Sequence, residues 1–316
     1  MKFIKKNCKI LRYILLLVIS IIPTLFTSAS FYRINMNTSI EGVAKTLEIL
    51  GRRQLVSVID WINEFLYDLN ALAQLSAFQN LNINELSKII EYMKFNKPAY
   101  REIYVINSKN EILYGYAANK KEFLNSFVIK NALSGVEKMS EVTKVNNKLY
   151  IDIAVPIFSE DNSIGAICAR IDLEYLNDLM KSIEKDETIE SFIVDKNGLF
   201  LTDSRYLPDA VGNLKIDLQR VKTSIDFSKT LPYKDYRGID VYGCYFNVND
   251  TGWTLIVQKD ADSVKKQNQT IIDIGKYTSL FQLLGLLALR KLKEDNTIPK
   301  EMADLIEDNI KKEKKS

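Results

Sequence analysis

Two neighbouring strand-like segments carry the side chains best suited to bind a small polar molecule. They are KLYIDIAVPIF, from Lys148 to Phe158, and IGAICARIDL, from Ile164 to Leu173. Side chains alternate between the two faces of a strand. One face of this pair therefore gathers two carboxylates, a guanidinium and a phenol: Asp152, Asp172, Arg170 and Tyr150. The opposite face is aliphatic, and we expect it to pack against a long helix.

The polar face is suited to orient a ligand through charge-assisted hydrogen bonds. Arg170 is a candidate to hold a carboxylate and Asp172 an amine, because such bonds combine strength with defined geometry. Tyr114 and Tyr116, from an upstream hairpin, extend the same face. The predicted ligand site therefore consists of Tyr114, Tyr116, Tyr150, Asp152, Arg170 and Asp172. The alternative is an ordinary solvated sheet face on which Arg170 is paired with Asp152 or Asp172.

The composition excludes several function classes. None of the 316 residues is a histidine, which removes a phospho-accepting histidine, the common catalytic triads and most zinc sites. We therefore predict no enzyme activity, no catalytic residue, no metal site and no cofactor. The net charge is +3, and five basic residues precede Tyr13. The remaining chain is close to neutral, which gives no electrostatic reason to expect nucleic-acid binding.

Two apolar segments predict membrane anchors. Residues 13–32 are uncharged, and at about 1.5 Å per residue they span the roughly 30 Å hydrocarbon core. The basic residues at 1–12 then place the N-terminus in the cytoplasm and the following chain outside the cell membrane. A cleaved signal peptide is the alternative. Residues 271–290 are predicted as a second transmembrane helix, with an interfacial helix or the remains of a longer span as alternatives, and 291–316 as a charged cytoplasmic tail.

Residues 35–80 are predicted to form a long stalk helix. Apolar side chains recur there at spacings of three and four, as on one face of a helix. Three arrangements of this apolar stripe are open: it packs on the sheet of its own chain, it pairs with a second copy of the chain, or it does both at different heights along the helix. Pairing with a second copy predicts a homodimer through the stalk helix.

An internal repeat follows the stalk helix. The first copy opens with IYVINSKNEILYGY, Ile103 to Tyr116, and the second with FIVDKNGLFLTDS, Phe192 to Ser204. Each copy then has an insert and closes with two further strands. The predicted fold class is α+β: a long N-terminal helix, then two tandem PAS-like antiparallel-sheet units, flanked by transmembrane helices. The predicted boundaries are a membrane-distal unit at 81–173, a linking helix at 174–188 and a membrane-proximal unit at 189–265.

Several segments resemble the double-Cache sensor domain of bacterial chemoreceptors, sensor histidine kinases and diguanylate cyclases. The resemblance covers roughly residues 35 to 265. It is carried by the first hairpin, by Ala132-Leu133-Ser134-Gly135, by the segments Ile151 to Phe158 and Gly165 to Leu173, and by Tyr236-Arg237-Gly238 through Gly252-Trp253 to Asp260.

The resemblance implies that the distal unit binds a small molecule and that the proximal unit relays the change to the membrane. Amino-acid-binding members carry an Arg-x-Trp-Tyr motif after the first hairpin. The stretch from Ala117 to Val128 contains no arginine and no tryptophan. Amino acids are therefore not favoured over organic acids, amines or other small solutes.

The functional prediction is an extracytoplasmic small-molecule sensor of a transmembrane signalling receptor. No kinase, cyclase or chemoreceptor core follows Leu289. The effector is therefore expected either to have been lost by truncation or to be supplied by a cytoplasmic signalling partner. The alternative is a membrane-tethered solute-binding or assembly protein without signalling output.

Overall fold

The fold was obtained as a computed structural model that describes residues 2–115, 120–160, 162–183, 188–224 and 231–294. Within these ranges some helical side chains are not described: 2–21, 24, 25, 122, 182, 183, 223, 224, 267, 271, 272, 275, 279, 282, 283, 286 and 288–294. Tyr116 of the predicted site and residues 295–316 of the predicted tail lie outside the described residues, as do most side chains of the first predicted span. The chain divides into two compact units, Val43–Ala261, and Met1–Gly42 with Asp262–Ser316.

Membrane crossing was assessed from the same residues. Among the described residues, no helix combines the length and the apolar character that are needed to span a bilayer.

The N-terminal helix α1, Lys2–Ala73, carries the predicted apolar stripe. The stripe is buried in the second half of the helix, at Leu47, Val58, Ile62, Phe65, Leu69 and Leu72. The helix ends at Ala73, short of the predicted Asn80, because the N–H of Leu75 bonds to the carbonyl oxygen of Leu72 in a tighter turn. Two shorter helices follow, α2 at Ser76–Gln79 and α3 at Ile83–Asn96.

The first repeat is an antiparallel sheet with helices inserted after its first hairpin. The elements are β1 Tyr100–Asn107, β2 Ile112–Tyr114, α4 Lys120–Leu124, α5 Phe127–Leu133, β3 Lys138–Met139, β4 Thr143–Val145, β5 Lys148–Ser159 and β6 Asn162–Asp172. The sheet order is β2-β1-β6-β5-β3, and β4 also pairs with β5. The predicted opening hairpin and closing strands of this repeat are confirmed.

The second repeat has the same plan with fewer strands. Its elements are β7 Ile189–Val194, α7 Leu218–Ser224, β8 Tyr233–Lys234, β9 Asp240–Val248 and β10 Trp253–Asp260, with α6 Glu174–Ile183 before it and α8 Ala261–Glu294 after it. The sheet order is β7-β10-β9-β8. The closing strands are confirmed. The second arm of the opening hairpin is not a regular strand, because after the Asp195 turn the chain makes only isolated bridges at Leu199 and Phe200.

Each repeat buries an apolar cluster between its sheet and its insert. The first-repeat core is formed by Tyr104, Ile106, Phe123, Leu124, Val128, Ile129, Ala132, Ala154, Ala166 and Cys168. The second-repeat core is formed by Phe192, Val194, Phe200, Ala210, Val221, Tyr233, Val241 and Ile256. The α+β class with a long N-terminal helix and antiparallel sheets is thus confirmed.

Gly165 provides a test of the first sheet. A Cβ atom at this position would lie 2.3 Å from the backbone oxygen of Ile106, so Gly165→Ala must push β1 and β6 apart. We expect the variant to lower the free energy of unfolding by about 1–3 kcal/mol, a typical cost of overpacking. Chemical unfolding of the full chain measures this.

Gly42→Ala is the matched control for this substitution. A Cβ atom at Gly42, inside α1, would meet nothing within 4 Å. Alanine should leave stability unchanged or raise it by up to about 1 kcal/mol, since it favours the helical conformation. Equal stability of the two variants would contradict the close approach at Gly165.

Candidate functional site

The centre of the candidate site is an ion pair between adjacent strands. Register places Asp152 of β5 directly opposite Arg170 of β6. The guanidinium donates through Nε to Oδ1 and through Nη2 to Oδ2, both at 2.8 Å. This two-bond geometry is the strongest form of arginine–carboxylate contact, and hydrogen bonding to Asp152 raises the pKa of Arg170 further. Of the pairings considered from sequence, the one with Asp152 is present.

The face that carries this pair is not a solvated sheet surface. Helices α4 and α5 pack on it, and Ala154, Ala166 and Cys168 beside the pair are fully buried. The side chain of Asp152 is 9% exposed and that of Arg170 is 25% exposed. The pair therefore lies at the border of the first-repeat core, where the Arg170 side chain still reaches solvent.

Tyr104 joins this pair, although sequence reasoning did not select it. It lies opposite Cys168 in the sheet, and its ring centroid is 4.3 Å from that of Phe123 on α4. Burial raises the pKa of Tyr104 to about 12, while the charge of Arg170 lowers it. The alternation rule applied to β1 as well as to β5 and β6 would have placed this phenol on the polar face.

Asp172 has a separate set of partners. Its Oδ1 accepts the backbone N–H of Glu174 at 3.0 Å, and its Oδ2 lies 3.7 Å from Nζ of Lys148. Tyr150 is its neighbour across the strands. Hydrogen bonding to Glu174 and then the charge of Asp172 raise the pKa of Lys148. In this structure, Asp172 thus holds the chain where β6 passes into α6.

Tyr114 is connected to helix α3. Its hydroxyl donates a hydrogen bond to Glu91, and burial together with this bond raises the pKa of Tyr114 to about 12. The structure therefore brings Asp152, Arg170 and Tyr104 together. Asp172 and Tyr114 have other partners: Asp172 contacts Glu174 and Lys148, and Tyr114 bonds to Glu91.

Comparison with models of protein families identifies the family of the chain. A family model described as Cache domain, dCache_1, matches residues 35–267. The chain belongs to the Cache domain family. The double-Cache resemblance found from sequence is thus confirmed. No curated protein sequence matches the chain.

Solved Cache sensor domains share the fold. The ligand-binding domain of the Campylobacter jejuni chemoreceptor Tlp3, in complex with L-valine, has a TM-score of 0.58 at 16% identity, over 73% of this chain and 97% of that one. The Pseudomonas aeruginosa chemoreceptor PctB, in complex with L-Arg, has a TM-score of 0.53 at 14% identity, over 71% and 97%. Identities this low establish a common fold.

Asp152 tests how far the ion pair stabilises the Cache fold. Asp152→Asn leaves a mostly buried guanidinium without its counter-charge, and we expect the free energy of unfolding to fall by about 1–3 kcal/mol. Adding Arg170→Met should recover part of this loss.

Asp240→Asn is the control, because Asp240 forms a surface ion pair with Lys234 in which both side chains are about half exposed. In this variant the free energy of unfolding should fall by less than about 1 kcal/mol. Chemical unfolding of the full chain compares the variants, and equal losses for Asp152→Asn and Asp240→Asn would show that the pair is no more than a surface contact.

Proposed function

We propose that the chain is the extracytoplasmic ligand-sensing part of a bacterial transmembrane signalling receptor, and that the first repeat binds a small carboxylate-bearing molecule at Arg170. Membership of the Cache family supports the sensor role. The observation that carries the ligand assignment is the position of a half-engaged guanidinium at the border of the first-repeat core.

Arg170 retains hydrogen-bonding capacity toward a ligand. A guanidinium has five N–H groups, and Asp152 accepts two of them. The remaining N–H groups can donate to a carboxylate, because the Arg170 side chain is still 25% exposed. Tyr114, Tyr116, Tyr150 and Asp172 complete the proposed ligand site.

The partners of the two aspartates favour organic acids over amino acids. Both oxygens of Asp152 already accept from Arg170, and Asp172 is engaged by the backbone of Glu174 and by Lys148. A ligand ammonium would have to share these acceptors. Tlp3 and PctB are described with amino acids. For this chain we propose that recognition centres on the carboxylate group of the ligand.

We also propose that residues 13–32 and 271–290 anchor the chain in the cell membrane, with the Cache domain outside. The support is in the sequence: a twenty-residue uncharged segment follows five basic residues, an arrangement that places the basic end in the cytoplasm. The signal would then pass along the anchors to a cytoplasmic signalling partner.

A second copy of the chain is the proposed partner of α1. Ile49, Val56 and Tyr67 are 52%, 57% and 72% exposed. Val56 and Tyr67 follow Ile49 by seven and eighteen residues. Both separations are close to whole numbers of helical turns, so the three side chains share one face. Val58, nine residues from Ile49, is fully buried on the opposite face. This exposed stripe is suited to pair with its own copy.

The ligand assignment predicts selective binding. Calorimetric titration of the full chain with acetate, propionate, lactate and L-valine should give tighter binding for at least one organic acid than for the amino acid. Arg170→Met should weaken that binding about ten- to a hundredfold, the effect of losing hydrogen bonds to a charged group.

Arg101→Met removes an exposed guanidinium from β1 and should leave the affinity unchanged. Binding of the acids that survives Arg170→Met would rule out the assignment. Equal weakening by both variants would indicate a general charge effect and would also rule it out.

The dimer proposal predicts a position-dependent effect of a new charge. Ile49→Glu should shift the purified full chain toward monomer, because a carboxylate would be buried in the stripe. Ile83→Glu, on α3, changes an isoleucine that is also about half exposed and should leave the mass unchanged. Light scattering after size-exclusion chromatography distinguishes them. A monomeric wild type, or equal masses for the two variants, would contradict the proposal.

A further inference from the structure

The second repeat contains a cleft that the proposed sensor site does not use. It has a volume of about 440 Å³ and lies between α6 and the segment that follows β7. Its wall includes Glu190 and Ser191 of β7, Lys181 of α6, and Asp203 and Asp209 of the following segment. Polar and charged side chains thus share the wall with apolar ones.

Glu190 is a buried carboxylate held by neutral donors. It is 2% exposed and accepts hydrogen bonds from Tyr236 Oη at 2.6 Å, Gln258 Nε2 at 2.8 Å, Ser204 Oγ at 3.0 Å and the backbone N–H of Arg205 at 3.0 Å. Within the described chain, Glu190 makes no ion pair with a lysine or arginine. Burial of an unpaired charge is costly, so this position favours a cationic occupant nearby.

The network behind Glu190 adds further negative charge. Gln258 Nε2 also lies 3.3 Å from Asp235, whose side chain is fully buried. Arg237 pairs with Asp235 at 2.6 Å and with Asp260 at 2.5 Å. One guanidinium therefore serves two carboxylates, and no basic side chain among the described residues forms an ion pair with Glu190.

Lys181 and Arg205 of the cleft wall form no ion pair with Glu190 within the part of the chain that the structure describes. Lys181 is paired with Asp203 at 2.7 Å, and Arg205 at the wall takes part in an interaction of its own. Asp209 lines the cleft and has no ion-pair partner in the described part of the chain. Wall and network together hold five carboxylates and three basic side chains, which attracts positive charge into the cleft.

We propose that this cleft is a second ligand site that binds a small organic cation, a primary amine or diamine with a short alkyl chain. Glu190 and Asp209, which both line the cleft, provide the negative charge. Met180, Leu207 and Pro208 border the alkyl chain. The site lies outside the first repeat, so it does not depend on the ligand assignment at Arg170.

Hydrogen bonds connect the cleft to two helices, α1 and α8, so a bound ligand can affect both. Glu190 and Ser191 are adjacent in β7, so their side chains leave opposite faces of the sheet. The Glu190 network ends at Asp260, directly before α8. On the other face, Ser191 Oγ accepts a 2.8 Å hydrogen bond from Gln54 of α1. Gln54 is fully buried, and its Oε1 has no hydrogen-bond partner among the described residues.

Titration calorimetry of the full chain tests this site with n-butylamine and 1,4-diaminobutane, beside n-butanol and Mg²⁺. Saturable binding of an amine, with no binding of the alcohol or the metal ion at the same concentration, is the expected result. If butanol or Mg²⁺ bound as tightly as the amines, the cation assignment would be wrong.

Two aspartate variants locate the site. Asp209→Asn should weaken amine binding about fivefold, the value of one exposed charge pair. Asp178→Asn removes a charge from the exposed face of α6, outside the cleft, and should have no effect. Equal weakening by both would overturn the proposal, since it would show non-specific attraction.

Two further measurements separate this site from the first repeat and test its coupling. Arg170→Met should leave the affinity for amines unchanged. Loss of amine binding in this variant would instead assign the amines to the first repeat. Amine binding should also slow amide hydrogen exchange in Trp253–Asp260. Binding without such protection would refute the connection from Glu190 to Asp260.

Discussion

The antiparallel pairing of β5 with β6 controls the geometry of the first repeat. Its register sets Asp152 against Arg170 and Tyr150 against Asp172. A shift of one residue would exchange the faces, placing Arg170 on the aliphatic side and Ile171 beneath α5. The candidate ligand site, the packing of the insert and the passage into α6 all follow from this one register.

The two repeats share a plan but balance their buried charges differently. In the first repeat, Asp152 and Arg170 neutralise each other at the border of an apolar core. In the second, the described partners of Glu190 are neutral donors, and Arg237 serves both Asp235 and Asp260. The two sites that we propose accordingly differ in the charge of their ligand, an acid in the first repeat and an amine in the second.

Local pattern predicted most of the strands but not the partners of the polar side chains. Period-two alternation correctly identified the closing strands of both repeats. It did not reveal that Tyr114 bonds to Glu91 of α3 or that Asp172 accepts from the backbone of Glu174. Those contacts depend on the direction in which a neighbouring element leaves the sheet. The buried network around Glu190 was likewise missed, because its members are spread from β7 to β10.

The sequence by itself determined the long helix, the repeat and the Cache family, since these depend on periodicity and on the order of local segments. It also determined which residues share a strand face, because alternation is a property of the extended backbone. Tertiary structure decided which face the insert covers, which of two aspartates pairs with Arg170, and that the described partners of Glu190 are neutral groups. Burial and charge pairing arise between residues far apart in the chain, and no local pattern encodes their distances.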